Sequence, residues 1–400
     1  MSMTPRQRIL AALDHREPDR LPIDFGGTDC SSIHVIAYDK LRKTVGIAPR
    51  HMRLGCMTQQ IVEVDPELLD YFGSDAQGLY FHPRQWRVWD STYGLPVEAP
   101  ALWQPQTLPD GSTVVCNAAG AVQSRQTANG QYFDPVHFTL ANIEDPAEIA
   151  HYGAMFERWD WSAVWDESVE EYAARAKAEY QATDRAVLAL WQNHYLQAGQ
   201  VMRGYEQFMI DLLDDEPMVR GILDRLHDIY MARTRRFLDA MADWLDIVFL
   251  TDDLGTQLGP LIGPELYRKL VKPYWAEQIA LIKSRGKKVS MHSCGAVSDF
   301  IPDFIEMGVD AVNPVQITAG GMAPARLKRE FGADIAFWGG GVSTQGTLDV
   351  GAPEQVRDEV RRNIETFAPG GGYVFTQVHN IQANVPPENV MAAYEAARVY

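Results

Sequence analysis

The stretch KKVSMHSCGAVSDFIPDFIEMGVDAVNP, residues 287–314, carries the pattern on which the fold turns. A short β-rich run, KVSMH (288–292), leads into a glycine-bearing turn. VSDFIPDFIEMG follows with helical spacing, and a second run, DAVNP (310–314), closes the unit. Strand, turn, helix and strand in that order is the unit from which parallel α/β folds are built.

The same rhythm extends in both directions. Further runs are LPIDF (21–25), GLYFH (78–82), AVLALW (186–191), DIVFLT (246–251), DIAFWG (334–339) and GYVFT (372–376), which makes eight in all. From residue 186 onward they alternate with helical segments such as GPELYRKLVKPYWAEQIALIKSRG (263–286) and PEQVRDEVRRNIETFAPGG (353–371). Eight βα units, with no glycine-rich nucleotide fingerprint after the first run, predict an α/β chain folded as a (β/α)8 TIM barrel. A doubly wound sheet is the alternative.

Residues 84–150 break the rhythm. In LPDGSTVVCNAAGAVQSRQTANGQYFD (108–134), Asp-Gly and Asn-Gly turns separate short alternating runs, so a β-rich insertion after the second strand is expected there, walling one side of the barrel mouth. With no repeat or low-complexity tract, residues 1–400 read as one elaborated domain. At the N-terminus, Thr4 as N-cap, Pro5 at the first helical position and Gln7 completing a capping box predict a short helix that closes one end of it.

Composition narrows the function. A formal net charge of -17 repels phosphate backbones and anionic lipid surfaces, which argues against nucleic-acid and membrane-surface partners. No apolar run reaches the ~18 residues needed to span a bilayer, and no signal-peptide core is present. The four cysteines, Cys30, Cys56, Cys116 and Cys294, are widely spaced, which suits free thiols or metal ligation in the cytoplasm.

A barrel gathers its strand ends at one mouth, and these ends are rich in chemistry. They are Asp24, His82, Asn193 with His194, Asp252 with Asp253, His292 with Cys294, Asn313, the glycines Gly339 to Gly341, and His379 just past the last strand. His292 and Cys294 stand out. Ten histidines and four cysteines over 400 positions give only about 0.1 His-x-Cys pairs by chance. Residues two apart on an extended segment share a face, so one metal ion could take both, with His379 as third ligand. Two nitrogens, one sulfur and an open position describe a catalytic zinc site. The alternative is a hydrogen-bonded barrel histidine beside a small apolar filler. Asp252 and Asp253 face opposite sides of their strand, so one of them should enter the mouth as base, ligand or orienter of a metal-bound histidine. With Asn193 and His82 they are the candidate catalytic residues. Gly339, Gly340 and Asn313 are the candidate cofactor contacts, the glycines because they permit close backbone approach.

Several segments together carry a resemblance to a known family. They are RQRILAALDHREPDRLPIDFGG (6–27), TDDLGTQLGPLIGPELYRKLVKPYW (251–275), HSCGAVSDFIPDFIEMGVDAVNPVQ (292–316), FWGGGVSTQGTL (337–348) and GGGYVFTQVHNIQANVPPENV (370–390). The chain resembles the uroporphyrinogen decarboxylase superfamily, and its cobalamin-dependent methyltransferase branch more than the decarboxylases. The decarboxylases resembled carry an Arg-Gln-Ala-Gly-Arg segment after the first strand and an Asp after the second. This chain has DFGGTDCSS (24–32) and YFHP (80–83), with His82 where the Asp would lie. The methyltransferase branch shares the His-x-Cys zinc pair, but its thiol-methylating members take a third ligand, a cysteine, from the loop that here bears His379. The resemblance implies a (β/α)8 fold, a zinc ion, and transfer of a methyl group between a corrinoid and a small-molecule thiol, ether, amine or folate-type partner. Decarboxylation of a cyclic or aromatic acid other than uroporphyrinogen is the second implication. The 400 residues hold no recognisable corrinoid-binding domain, so the cobalamin is expected on a separate corrinoid protein. Self-association is left open.

Overall fold

A computed structural model describes residues 2–48, 52–91, 93–117, 120–157, 164–191 and 193–400. Seven parallel strands form one sheet in chain order: Ala76–Leu79, Ala186–Leu190, Ile247–Thr251, Lys288–His292, Ala311–Asn313, Ala336–Trp338 and Tyr373–Val374. Each pairs in parallel with the next along the chain, for example Thr251 beside His292 and His292 beside Asn313.

The eighth run, residues 21–25, is not a full strand. It is reduced to a parallel bridge between Ile23 and Phe375, flanked by Asp24 N donating to Phe375 O and Phe375 N donating to Pro22 O. On its other side Asp75 N donates to Ile23 O at 2.6 Å, so the segment joins the two edge strands and closes the barrel. Asp75 fixes this seam. Its carboxylate is fully buried, accepts from Ile23 N, and pairs with Arg8 at 2.7 Å and Arg20 at 2.8 Å. A carboxylate so deeply buried is tolerated because two guanidinium groups and an amide occupy its lone pairs.

The inward side chains form their own apolar column, with Ala76, Leu188, Ile247, Ala311, Ala336 and Trp338 among them. Ile9, Ala12 and Leu13 join that column from the helix Pro5–Leu13, so this helix stoppers one end of the barrel. It starts with the capping box read from sequence: Gln7 N donates to Thr4 Oγ1, and Thr4 N to Gln7 Oε1. The outward strand faces, such as Val187, Val248, Val289 and Val312, pack under the surrounding helices in a larger core. Chemistry is left to the opposite end.

Residues 86–135 hold six short strands in two further sheets. Trp86–Asp90 and Pro96–Pro100 pair antiparallel, and the latter runs parallel to Met52–Cys56, a strand the sequence reading did not identify. Gln106–Thr107, Thr113–Cys116, Val122–Gln126 and Asp134–Pro135 form an antiparallel meander. Gly111, at φ +81°, follows Asp110 in the first of its turns. Residues 92, 118 and 119 of the expected insertion lie outside the described residues.

Candidate metal centre

His292 is the last residue of Lys288–His292 and is 5% exposed. Neighbouring strands hold its ring. Asn313, one strand over, places Oδ1 2.9 Å from His292 Nδ1 and donates from Nδ2 to Trp338 O at 3.0 Å. That second bond fixes which end of the Asn313 amide faces the imidazole, so in the neutral ring Nδ1 carries the proton and Nε2 is the nitrogen that a metal ion would take.

Nε2 faces Cys294 Sγ at 3.3 Å and Asp253 Oδ1 at 3.6 Å. For zinc at ~2.3 Å from sulfur and ~2.0 to 2.1 Å from nitrogen, a tetrahedral N–S edge is roughly 3.6 Å. The loop that brings Cys294 here is tightly held. Cys294 N donates to Asp253 Oδ1 at 2.9 Å, and Gly295 N to Gln316 Oε1 at 2.9 Å. Gly295, at φ +85°, crosses Gly255 so closely that a Cβ on it would lie 2.5 Å from Gly255 C. Only two glycines permit that crossing, which accounts for the glycine after Cys294.

On the other side of the ring lies a thiol that the sequence reading passed over. Cys30 Sγ is 3.0 Å from His292 Nδ1, 3.8 Å from His292 Nε2 and 3.9 Å from His379 Nε2. The rings of His292 and His379 are 5.9 Å apart, centroid to centroid. His292 therefore belongs to two groups of donors, Asp253–His292–Cys294 and Cys30–His292–His379, each with ligand atoms within 4.8 Å of one another. The signal for Cys30 was its position just past the end of the first strand-like run.

The electrostatics of the cluster ask for positive charge. Burial alone would push both imidazoles down, yet Cys30 and Cys294 together hold His292 and His379 well above the usual histidine range. Burial would raise the Cys30 thiol, but the two imidazoles bring it down to about 7. Partial burial would raise the Asp253 carboxyl, but its contact with His292 keeps it well below the usual carboxylate range. A donor set that draws protons onto its histidines is one that a divalent cation satisfies in their place.

The remaining candidates are placed elsewhere. Asp252 is turned away from the mouth, fully buried, and accepts from the backbone N–H groups of Tyr195, Leu196 and Gln197 at 3.1, 2.8 and 3.0 Å. It anchors the start of the helix Leu196–Arg203. Burial raises its carboxyl to about 6. Asn193, three residues past the strand Ala186–Leu190, is 3% exposed and lines neither mouth cavity. His82 does not reach the cluster. Its Nε2 contacts Glu63 at 2.8 Å in a separate cavity of about 730 Å³ that also receives Arg53, Glu98 and Arg175. The strand beneath His82 ends at Leu79, so three residues of turn carry it outward.

At the glycines the chain packs closely on itself. At Gly340, φ is +75° and a Cβ would meet Val315 Cβ at 2.9 Å, while at Gly339, φ is +111° and a Cβ would meet Gln377 O at 3.4 Å. The space they leave is filled by the chain itself. Asn313 acts through His292, as described, and is 1% exposed.

Above the cluster are two connected cavities that share Thr58, Gln59, Gln197 and His379. The inner one, about 190 Å³, is lined by Cys30, Asp253, His292, Phe249 and Trp165 among others. The outer one, about 840 Å³, reaches Cys294 and is walled by residues 132–135 of the β-rich region. Among the described residues no helix is long and apolar enough to cross a membrane.

Comparison with known proteins agrees with this architecture. A methyltransferase from Methanosarcina mazei superposes with a TM-score of 0.61 over 100% of this chain and 99% of that one, at 16% identity, which is a likeness of fold. The uroporphyrinogen decarboxylase of Methylococcus capsulatus is 25% identical over 214 residues, 52% of this chain and 55% of that protein. That of Coxiella burnetii is 25% identical over 211 residues, 51% of this chain and 54% of its own. The chain thus spans about half the length of the curated relatives it matches. The family model for uroporphyrinogen decarboxylase (URO-D) matches residues 193–400, more than half of the chain and the part that carries Asp253, His292, Cys294, Asn313 and His379, and the chain belongs to that family.

Proposed function

We propose that this protein is a zinc-dependent methyltransferase that works with a corrinoid protein, moving a methyl group to or from a small molecule held in the mouth. The observation that carries this reading is the two overlapping donor groups, Asp253–His292–Cys294 and Cys30–His292–His379, which share His292 at the C-terminal end of the barrel, under an open cavity. His292 through Nε2, Cys294 and His379 would hold the ion. Zinc bound there supplies Lewis acidity to a heteroatom of the substrate and keeps a bound thiol deprotonated at neutral pH.

The chain's own residues do the rest. Asn313 orients His292 and fixes its tautomer. Asp253 stabilises positive charge beside Cys294 and pins the loop that carries it. Trp165 covers part of the inner cavity, and residues 132–135 of the β-rich region wall the outer one. The outer cavity gives a corrin-bearing partner a face to approach, and the Methanosarcina neighbour's description as a methyltransferase supports this choice within the family.

The test combines metal analysis with a spectrophotometric assay using free methylcobalamin and a panel of small thiols and amines. About one zinc per chain, with zinc-dependent loss of the methyl–cobalt absorbance, is the expected result. A zinc-free protein that releases carbon dioxide from a cyclic acid would sink the reading in favour of decarboxylation.

A further inference from the structure

Every charged side chain that lines the two mouth cavities, among the described residues, is an acid or a histidine. Asp134 and Asp349 face the outer cavity, Asp29 and Asp253 the inner one, and no described lysine or arginine lines either. The remaining polar lining of the outer cavity is neutral. Five glutamines, Gln59, Gln197, Gln316, Gln345 and Gln382, converge there and supply amide donors and acceptors with no charge. The aromatic rings of Phe249 and Trp165 flank the cluster below.

This lining selects by charge. A carboxylate, sulfonate or phosphate entering the mouth would lose water and meet four aspartates, with no described lysine or arginine to pair with and with the imidazoles of His292 and His379 already facing the thiols of Cys30 and Cys294. An ammonium would find carboxylates, glutamine carbonyls and ring faces, all of which attract it. Clefts lined by one sign of charge concentrate ligands of the opposite sign, raising association rates by about 10-fold or more. We infer that the small molecule served by this mouth carries no anionic group, and that among ligands of equal shape a cationic amine is preferred over a neutral one. This rests on the methyltransferase reading only in calling the ligand a methyl donor or acceptor. The charge preference itself belongs to the cavity.

A matched pair of thiol reagents reads that preference without metal or activity. Cys294 in the chelator-treated protein is modified by (2-trimethylammonioethyl) methanethiosulfonate or (2-sulfonatoethyl) methanethiosulfonate, with the site located by mass spectrometry and each rate divided by that for free 2-sulfanylethanol. A normalised cation-to-anion ratio of about 10 or more is expected, falling with added salt. Gln345 is exposed at the rim, and Gln345→Arg should lower the ratio at least threefold. A normalised ratio of one or less in the parent protein overturns the inference. In cobalt(II)-loaded protein, 2-aminoethanethiol and 2-sulfanylethanol should bind more tightly than 2-sulfanylethanesulfonate. Tightest binding by the sulfonate also overturns it. Absence of any bound metal with the ratio still high would instead remove the zinc reading and leave the charge selection standing.

Discussion

Asn313 Oδ1 lies 2.9 Å from His292 Nδ1, one strand over, and this contact decides which nitrogen of the ring faces Cys294. Because Asn313 Nδ2 is committed to Trp338 O, the amide cannot flip without losing a buried hydrogen bond. Asn313→Ala should therefore free the ring and weaken zinc binding by about 10- to 100-fold, as loss of such orienting partners does elsewhere. Competition with a chromophoric chelator measures it. Unchanged zinc affinity in a folded variant would show that Asn313 does not set the tautomer.

The two thiols should separate in the same assay. Cys294 Sγ is 3.3 Å from Nε2, the nitrogen that Asn313 leaves open, whereas Cys30 Sγ is nearer Nδ1, at 3.0 Å, than Nε2, at 3.8 Å. Cys294→Ser and His379→Ala are expected to strip most of the zinc, and Cys30→Ser to lower affinity less. If Cys30→Ser removes the metal and Cys294→Ser does not, the ion sits in the Cys30–His292–His379 group instead, and the ring is bound through its other face.

Adjacent aspartates have opposite tasks, and the variants should show it. Asp252 satisfies three amides and Trp275 Nε1 in a fully buried position, so Asp252→Ala orphans buried donors and should cost on the order of 2–4 kcal/mol of stability while zinc affinity is retained. Asp253 touches His292 and the Cys294 amide near the cavity. Asp253→Ala should cost under about 1 kcal/mol of stability and reduce turnover or zinc affinity at least tenfold. Chemical denaturation beside metal titration of both variants is the measurement. Equal losses of stability would make both residues structural.

Particular residues show what was legible beforehand. The βα rhythm located all seven strands and the closing segment because buried parallel strands are short apolar runs with little else in them. His292 and Cys294 were legible because a period of two places them on one face. Cys30 was not, since it reaches His292 across 262 positions and only barrel closure brings it there. His82 failed for a local reason: the strand ends three residues earlier than the apolar pattern does, so the side chain leaves the mouth. Gly340 packs against Val315, and a glycine that admits a ligand and one that admits another loop look alike in sequence. The strand Met52–Cys56 pairs outside the barrel sheet and so falls outside the βα rhythm.

Asp24 gives the pH dependence. It is fully buried beneath the mouth and accepts from Trp338 Nε1 at 2.8 Å and Gly27 N at 2.8 Å, but burial outweighs these bonds and raises its carboxyl to about 6 from an ordinary 3.8. The folded state then holds this proton more tightly than the unfolded state. Between about pH 4 and pH 6 the native protein binds more protons at this site, so its contribution to stability falls as pH rises and is fully present only below about pH 4. A shift of roughly 2 units corresponds to about 3 kcal/mol at most. Asp24→Asn keeps the shape but cannot ionise. The variant carries a fixed penalty for one misdirected amide, and its deficit relative to the parent should shrink by about 1–3 kcal/mol between pH 4 and pH 7. Urea denaturation of both proteins across that range reads the difference directly, with the other titrating groups cancelling. A deficit that stays constant or grows with pH would mean that Asp24 is ionised in the folded protein throughout.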